Sequence, residues 1–259
     1  MLKKPLTAVI LIALIISGSY YYLTEESLEE VYINHVIDGD TIRIANGESV
    51  RFIGIDTPEI DWDNNEAEYY GWEARDYLQQ KIQAKNVRLK YDQEKEDHYG
   101  RLLAYVYLNG LHLNQVLLEN GYATLMIVEP NNKYETEFKK AAEEARRAQK
   151  GLWNKVEEFS SKLPLLDYQT AQLFIGEKVI VEGEIVNTAK TDAVTYLNFS
   201  DDYHNTLSIV IFNRNLNKFA YEPDQYLKDK RIRVLGTIEI YQSAPQIIVS
   251  DPHYIMVEY

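Results

Sequence analysis

The chain of 259 residues contains no cysteine, only 5 histidines, 7 prolines and 12 glycines. The lack of cysteine excludes disulfides, thiolate metal sites, a cysteine nucleophile and a lipid-modified cysteine anchor. So few histidines argue against a histidine-rich zinc centre, so metal chemistry would rest on carboxylates and a hard cation. Positive charge is also scarce: Lys and Arg total 27 against 40 Asp and Glu, a formal net charge of −13. Taken alone, that opposes a partner as anionic as nucleic acid, whose binding depends on cationic side chains displacing counterions. A site, however, needs only a few cations placed in one cleft.

What is present is a folded-protein composition, 46% hydrophobic and 26% charged, in a chain long enough for two modest domains. Lys3 and Lys4 precede an apolar run from Leu6 to Ile16, then Ser17-Gly18-Ser19 and Tyr20-Tyr21-Tyr22. Residues 1–23 are therefore expected to be an export signal, either cleaved after the small residues or kept as a membrane anchor. An extracellular or cell-surface location follows, with the membrane reached only through this segment. Residues 24–30 read as a solvated spacer.

Residues 31–154 alternate short strands with turns and three helical segments. Asp38-Gly39 and Ala45-Asn46-Gly47-Glu48 mark hairpins on either side of strand-forming residues. Helical spacing predicts helices over Tyr69 to Lys85, His112 to Asn120 and Tyr134 to Lys150, the last two ended by Gly121 and Gly151. The natural assembly is mainly β with helices, an α+β arrangement in which a five-stranded OB-type barrel carries three helices. Residues 155–175 read as a linker, and five further strand patterns over residues 176–259 suggest a second, C-terminal OB-like barrel.

Three clusters are hard to explain by folding alone: Asp38-Gly39-Asp40-Thr41, Arg51 followed by Asp56-Thr57-Pro58-Glu59, and Tyr99-Gly100-Arg101. Each has a plain structural explanation, as a hairpin turn, a helix cap or an exposed arginine. Together they supply what phosphodiester hydrolysis needs. Asp40 and Asp56 are oxygen ligands for a hard divalent cation, Glu59 can hold and deprotonate a water, and Arg51 and Arg101 offer planar forks to a phosphoryl group as negative charge builds on it.

In these motifs and their order, about Val31 to Asn154 resembles the thermonuclease (staphylococcal nuclease-like) family. The resemblance implies a five-stranded OB barrel with three helices and endonucleolytic cleavage of DNA or RNA to 3′-phosphate ends. It implies Ca²⁺ as cofactor, held by Asp40, Asp56 and the Thr57 carbonyl with Asp38 behind them, phosphate contacts from Arg51 and Arg101, and Glu59 on the attacking water. His98, Tyr99, Met126 and Val128 fall where the family binds the nucleotide. The chain departs there, because Met126 and Val128 stand where tyrosines are usual and the loop from Ile60 to Glu68 is acidic where a basic loop would help. Weaker base stacking is expected.

Tyr241 beside Gln242 marks a place in the C-terminal barrel where single-stranded nucleic acid could bind, although acidic residues outnumber basic ones there. A monomer is expected. The competing reading is a catalytically inactive nucleic-acid-binding or extracellular scaffold module on OB-folds, and it leaves the joint presence of the five chemical residues unexplained.

Overall fold

The computed structural model describes residues 28–203 and 205–258; the expected export segment, residues 24–27 of the spacer and His204 lie outside them. Among the described residues no helix is long and apolar enough to cross a membrane.

Period-two alternation builds the first barrel. Strands β1 (Glu29–Val36), β2 (Thr41–Ile44) and β3 (Ser49–Phe52) form an antiparallel meander. After β4 (Gly54–Asp56) and helix α1 (Gly71–Ile82), strand β5 (Asn86–Lys90) returns against β1, and β6 (Leu102–Leu108) pairs antiparallel with β5. A parallel pairing of β3 with β6 closes the ring. Ile33, Ile42, Val50, Phe52, Leu89 and Val106 point inward and are fully or almost fully buried. Helix α1 covers the barrel with Ala74, Leu78 and Ile82, spaced four apart so that they share one face. Helix α2 (Leu113–Glu119), strand β7 (Thr124–Met126) and helix α3 (Glu135–Arg147) follow, with Phe138, Ala141 and Ala142 of α3 in the same core.

The expected helices are shorter at both ends, because the flanking residues turn rather than add hydrogen-bonded turns. Glu29 and Glu30, expected in a spacer, open β1 instead. The backbone there has a ladder to join, and the Tyr91 hydroxyl donates to the Glu29 carboxylate at 2.6 Å.

Residues 155–175 were expected as a linker, yet they carry helix α4 (Lys155–Ser160), strand β8 (Leu165–Asp167) and a short 3-10 turn. Val156 is apolar among charged neighbours and packs with Ile180, Leu235 and Met256, so the segment is a packed joint between two cores. Beyond it run β9 (Lys178–Glu184), β10 (Asn187–Lys190), β11 (Val194–Asn198), β12 (Ser208–Phe212), β13 (Arg231–Tyr241), β14 (Ala244–Ile248) and β15 (Ile255–Val257). Taken as one bent strand, β9 and β10 pair with β13 along one half and β11 along the other. Strands β11, β12, β14 and β13 complete the circuit, with β12 and β14 parallel. The pairing order of the first barrel is thereby repeated around Val181, Leu197, Ile209, Val234 and Ile247. β15, outside the sequence expectation, adds to the edge of β13.

His112 caps α2 inside an aromatic nest, 4.6 Å from the Tyr107 ring and 4.8 Å from Tyr134, with its buried Nε2 unpaired. Burial, aided by Lys90, holds its pKa down at about 4, so the folded state keeps the neutral ring. The stability contribution is present above about pH 6.5 and is lost as pH falls toward 4, because the unfolded chain binds a proton that the native ring refuses. His112→Phe should therefore remove up to about 3 kcal/mol of the stability loss across that window, read from denaturant unfolding at several pH values. Parallel pH curves for the native protein and the variant would contradict this placement.

Candidate active site

The site begins with a break in a strand. The chain runs through β3, stops pairing at Ile53 and resumes as β4, and Gly54 makes the turn with φ +83°. A Cβ there would lie 2.6 Å from the Phe138 ring, so the turn requires glycine both for conformation and for room. The freed backbone is not left unpaired. Ile53 donates its N–H to Ala104 O, and the side chain of buried Asn114 donates to Ile53 O at 2.8 Å while accepting the Val106 N–H at 2.9 Å. Val50 and Phe52 face the core, which turns Arg51 outward; β4 pairs with β7 and brings Asp56 round to meet it. Nothing in the sequence flagged Asn114.

Arg51 spans two carboxylates. Its Nη1 lies 2.6 Å from Asp40 Oδ2 and its Nη2 donates to Asp56 Oδ1 at 2.8 Å. Asp40 is 3% exposed, and its Oδ2 also accepts the Thr57 N–H at 2.6 Å and the Thr57 hydroxyl at 2.9 Å. The Thr41 hydroxyl donates to Oδ1 at 3.1 Å, and Asp38 accepts the Asp40 N–H at 3.0 Å. Burial raises the Asp40 carboxyl to about 7 even though Arg51 opposes it, with Asp38 and Asp56 adding repulsion. Glu59, exposed beyond the buried Pro58, is likewise raised, first by desolvation and then by Asp40 and Asp56. Carboxylates are thus crowded beyond what the nearby cations neutralise.

Arg101 is held from another direction. Its Nε donates to Asp97 Oδ2 at 2.7 Å, and Asp97 Oδ1 accepts the N–H groups of Tyr99 and Arg101. Asp97 accordingly sits below the ordinary carboxylate range: burial opposes the shift, and the donated N–H groups and the guanidinium outweigh it. Asp97 was absent from the sequence expectation, though its place four residues before Arg101 was a usable signal.

Arg51 and Arg101 line one cleft of about 490 Å³ that also takes in His98, Met126 and Val128. Tyr99, 74% exposed, is outside that lining, although the Arg101 guanidinium carbon lies 5.5 Å from its ring centroid. Asp56, Thr57 and Glu59 line a second cleft of about 650 Å³, and Met126 belongs to both. The far wall of the second cleft comes from the C-terminal barrel. Lys218 Nζ reaches Asp56 Oδ2 and Asp251 Oδ1, each at 3.1 Å. No sequence signal pointed to that lysine, which stands 162 positions after the aspartate it meets.

A family model, Staphylococcal nuclease homologue, matches residues 49–155. The thermonuclease of Staphylococcus hyicus is 34% identical over 168 residues, covering 59% of this chain and 99% of that protein, and the thermonuclease of Staphylococcus intermedius is 34% identical with 60% and 100% covered. The chain belongs to the thermonuclease family. Endonuclease YncB of Bacillus subtilis is also similar, at 34% identity over 144 residues, covering 54% of this chain and 68% of the relative. The fold agrees with that membership, and the chain is a nuclease whose substrate is nucleic acid. The match to the family model stops at residue 155, before the second barrel.

In the nuclease, Gly39 allows the meeting of Asp40 and Thr57, since a Cβ on it would lie 2.8 Å from the Thr57 side chain and 2.9 Å from Ala74. Gly39→Ala should cost about 1–3 kcal/mol in unfolding free energy through overpacking and lower cleavage by displacing Thr57. A variant as stable and as active as the native protein would contradict this close approach.

Proposed function

We propose that the protein is a Ca²⁺-dependent endonuclease that hydrolyses phosphodiester bonds of DNA or RNA and leaves 3′-phosphate ends. The observation that carries this reading is the convergence of Asp40, Asp56 and Arg51 within 2.6–2.8 Å contacts, beside Glu59 and on the same rim as Arg101.

Among the described residues no three carboxylate or imidazole side chains form a metal-binding group, so two carboxylates and a backbone carbonyl would have to serve. The donors nevertheless fit Ca²⁺. Asp40, Asp56 and the Thr57 carbonyl are hard oxygens, and the Asp40 carboxyl is raised by burial and then by repulsion from Asp38 and Asp56 despite Arg51, so a divalent cation beside it would favour the ionised form. When bound there, the ion would polarise the phosphoryl oxygen and offset the charge that builds in the transition state.

The remaining work falls to side chains. Arg51 and Arg101 orient the scissile phosphate and offer N–H donors to its equatorial oxygens as negative charge builds on them. Glu59, more basic than a free glutamate because of its burial and acidic neighbours, accepts the proton of the attacking water. The water oxygen bonds to phosphorus in line with the departing 5′ oxygen, the P–O5′ bond breaks, and the 5′ oxygen leaves as a hydroxyl after taking a proton from solvent. Asp97 keeps Arg101 aimed, and Asp38 steadies the Asp40 backbone.

The nucleotide is proposed to lie over His98, Met126 and Val128, with Tyr99 at the rim, and the substitution of methionine and valine for rings gives weaker stacking. Export through residues 1–23, release or tethering outside the cell, a monomeric state, and the division into a catalytic part over 31–154 and a barrel over 176–259 belong to the same proposal. Single-stranded nucleic acid on the C-terminal barrel has support in a cleft of about 460 Å³ lined by Tyr196, Tyr203 and Tyr241.

Digestion of single-stranded DNA, duplex DNA and RNA with Ca²⁺ or EDTA tests the chemistry. Glu59→Gln and Arg101→Ala should each lower kcat by 10²-fold or more, EDTA should abolish cleavage, and product masses should show 3′-phosphates. Cleavage that survives EDTA, or that neither substitution affects, would overturn the mechanism.

A further inference from the structure

Lys155, the first residue of α4, is 5% exposed yet forms no ion pair with any described residue. Its Nζ lies 3.3 Å from Nε2 of buried His253, 3.9 Å from the Tyr254 ring centroid and 5.1 Å from that of Tyr69. The one hydrogen-bonding side chain it meets is therefore a histidine held neutral by burial and by the two lysines near it, Lys155 and Lys218. Lys178 of β9 lines the same cleft, exposed, with its ammonium 5.6 Å from the Phe159 ring centroid and likewise without an ion pair. Burial and the charge of Lys178 push the Lys155 pKa down to about 8, the expected response of an ammonium withdrawn from water with no counter-ion in contact.

Burying an unpaired cation is unfavourable, and folding alone gives no reason to keep one beside a second lysine. The cleft that holds both is also lined by Asp56 and Glu59, and it borders the Arg51 and Arg101 cleft at Met126, which lines the two. The nearby acids outside the catalytic set are Glu68, exposed, and Asp251, already bound to Lys218. The rings of Tyr69, Phe159 and Tyr254 stand in the same wall and offer faces to a sugar or base.

We propose that the cleft between the two barrels is a second phosphodiester subsite, in which Lys155 and Lys178 hold backbone phosphate of the same nucleic-acid strand beyond the scissile bond. The inference rests on the nuclease reading of the Arg51 and Glu59 centre and deepens it. The C-terminal barrel is then part of the substrate channel: β9 carries Lys178, the segment after β14 carries His253 and Tyr254, and Lys218 joins that wall to Asp56. A chain ending where the match to the family model ends, at residue 155, would lack Lys178, Lys218, His253 and Tyr254 of this wall. The ligand class is an internucleotide phosphate in a single strand long enough to span both clefts.

The test is equilibrium binding, by fluorescence anisotropy, of labelled oligothymidylates of 3 and 12 nucleotides to the full chain carrying Glu59→Gln, with Ca²⁺ present and over a salt series. Lys155→Gln with Lys178→Gln should weaken the 12-mer by 10-fold or more and reduce its salt slope by about 1.4, two phosphate contacts at roughly 0.7 each, while the 3-mer changes less than 3-fold. Lys178→Glu alone, at an exposed position, should weaken the 12-mer by several-fold, and it keeps the test open if the buried substitution does not fold. Unchanged affinity and slope for the 12-mer, or equal losses on both lengths, would overturn the subsite. Failure of the catalytic reading shows separately, as a native protein that leaves the 12-mer uncut with Ca²⁺ present, or a Glu59→Gln protein that cuts it as fast as the native one.

Discussion

The pairing of Arg51 with Asp40 and Asp56 is the constraint around which the rest of the structure is arranged. One guanidinium holds two carboxylates, one of them almost wholly buried, and Asp38 and Glu59 add negative charge to the same small volume. Such a cluster is unfavourable as a source of stability, since desolvation offsets much of what the ion pairs contribute. As a place for a divalent cation it is well suited, because the ion supplies the positive charge that the protein alone leaves short, and with it in place a phosphate can approach. The function reading and the energetic oddity are the same fact seen twice.

Holding that cluster takes several local exceptions to regular structure. β3 ends two residues before a glycine with positive φ, Asn114 takes over the backbone carbonyl that the ladder gives up, and Gly39 lets two segments approach to side-chain contact. Each exception lies next to the site rather than elsewhere in the barrel. The second barrel then closes on the cluster through Lys218, which bridges Asp56 and Asp251, so that the Asp56 carboxylate is shared between two cores. For a protein this acidic overall, cations delivered one at a time into a cleft answer the objection that its net charge raises.

Both barrels and the three helices of the first were legible in the sequence, because apolar alternation and turn residues encode strand pairing directly. The proposed catalytic residues stood out for a different reason: Asp40, Arg51, Asp56, Glu59 and Arg101 lie in short motifs with few structural reasons to occur together, and the fold brings the first three into contact. Residues that act across long separations were not legible. Lys155, Lys178 and Lys218 look like ordinary surface lysines until the fold places them in one cleft, and Val156 hides the packed joint inside a charged stretch. Asp97 was within reach of sequence reasoning, given its spacing from Arg101, but aspartate before a turn is common and draws no notice.

The central claim is that the Asp40 and Asp56 carboxylates, crowded as they are, form a cation site. Calorimetric titration of Ca²⁺ into the full chain, into Asp40→Asn and into Asp56→Asn tests it most directly, without any substrate. One Ca²⁺ per chain is expected for the native protein, with affinity at least about 100-fold weaker in each variant, as for loss of a charged oxygen ligand. Equal affinity and stoichiometry in the native protein and both variants would contradict the claim.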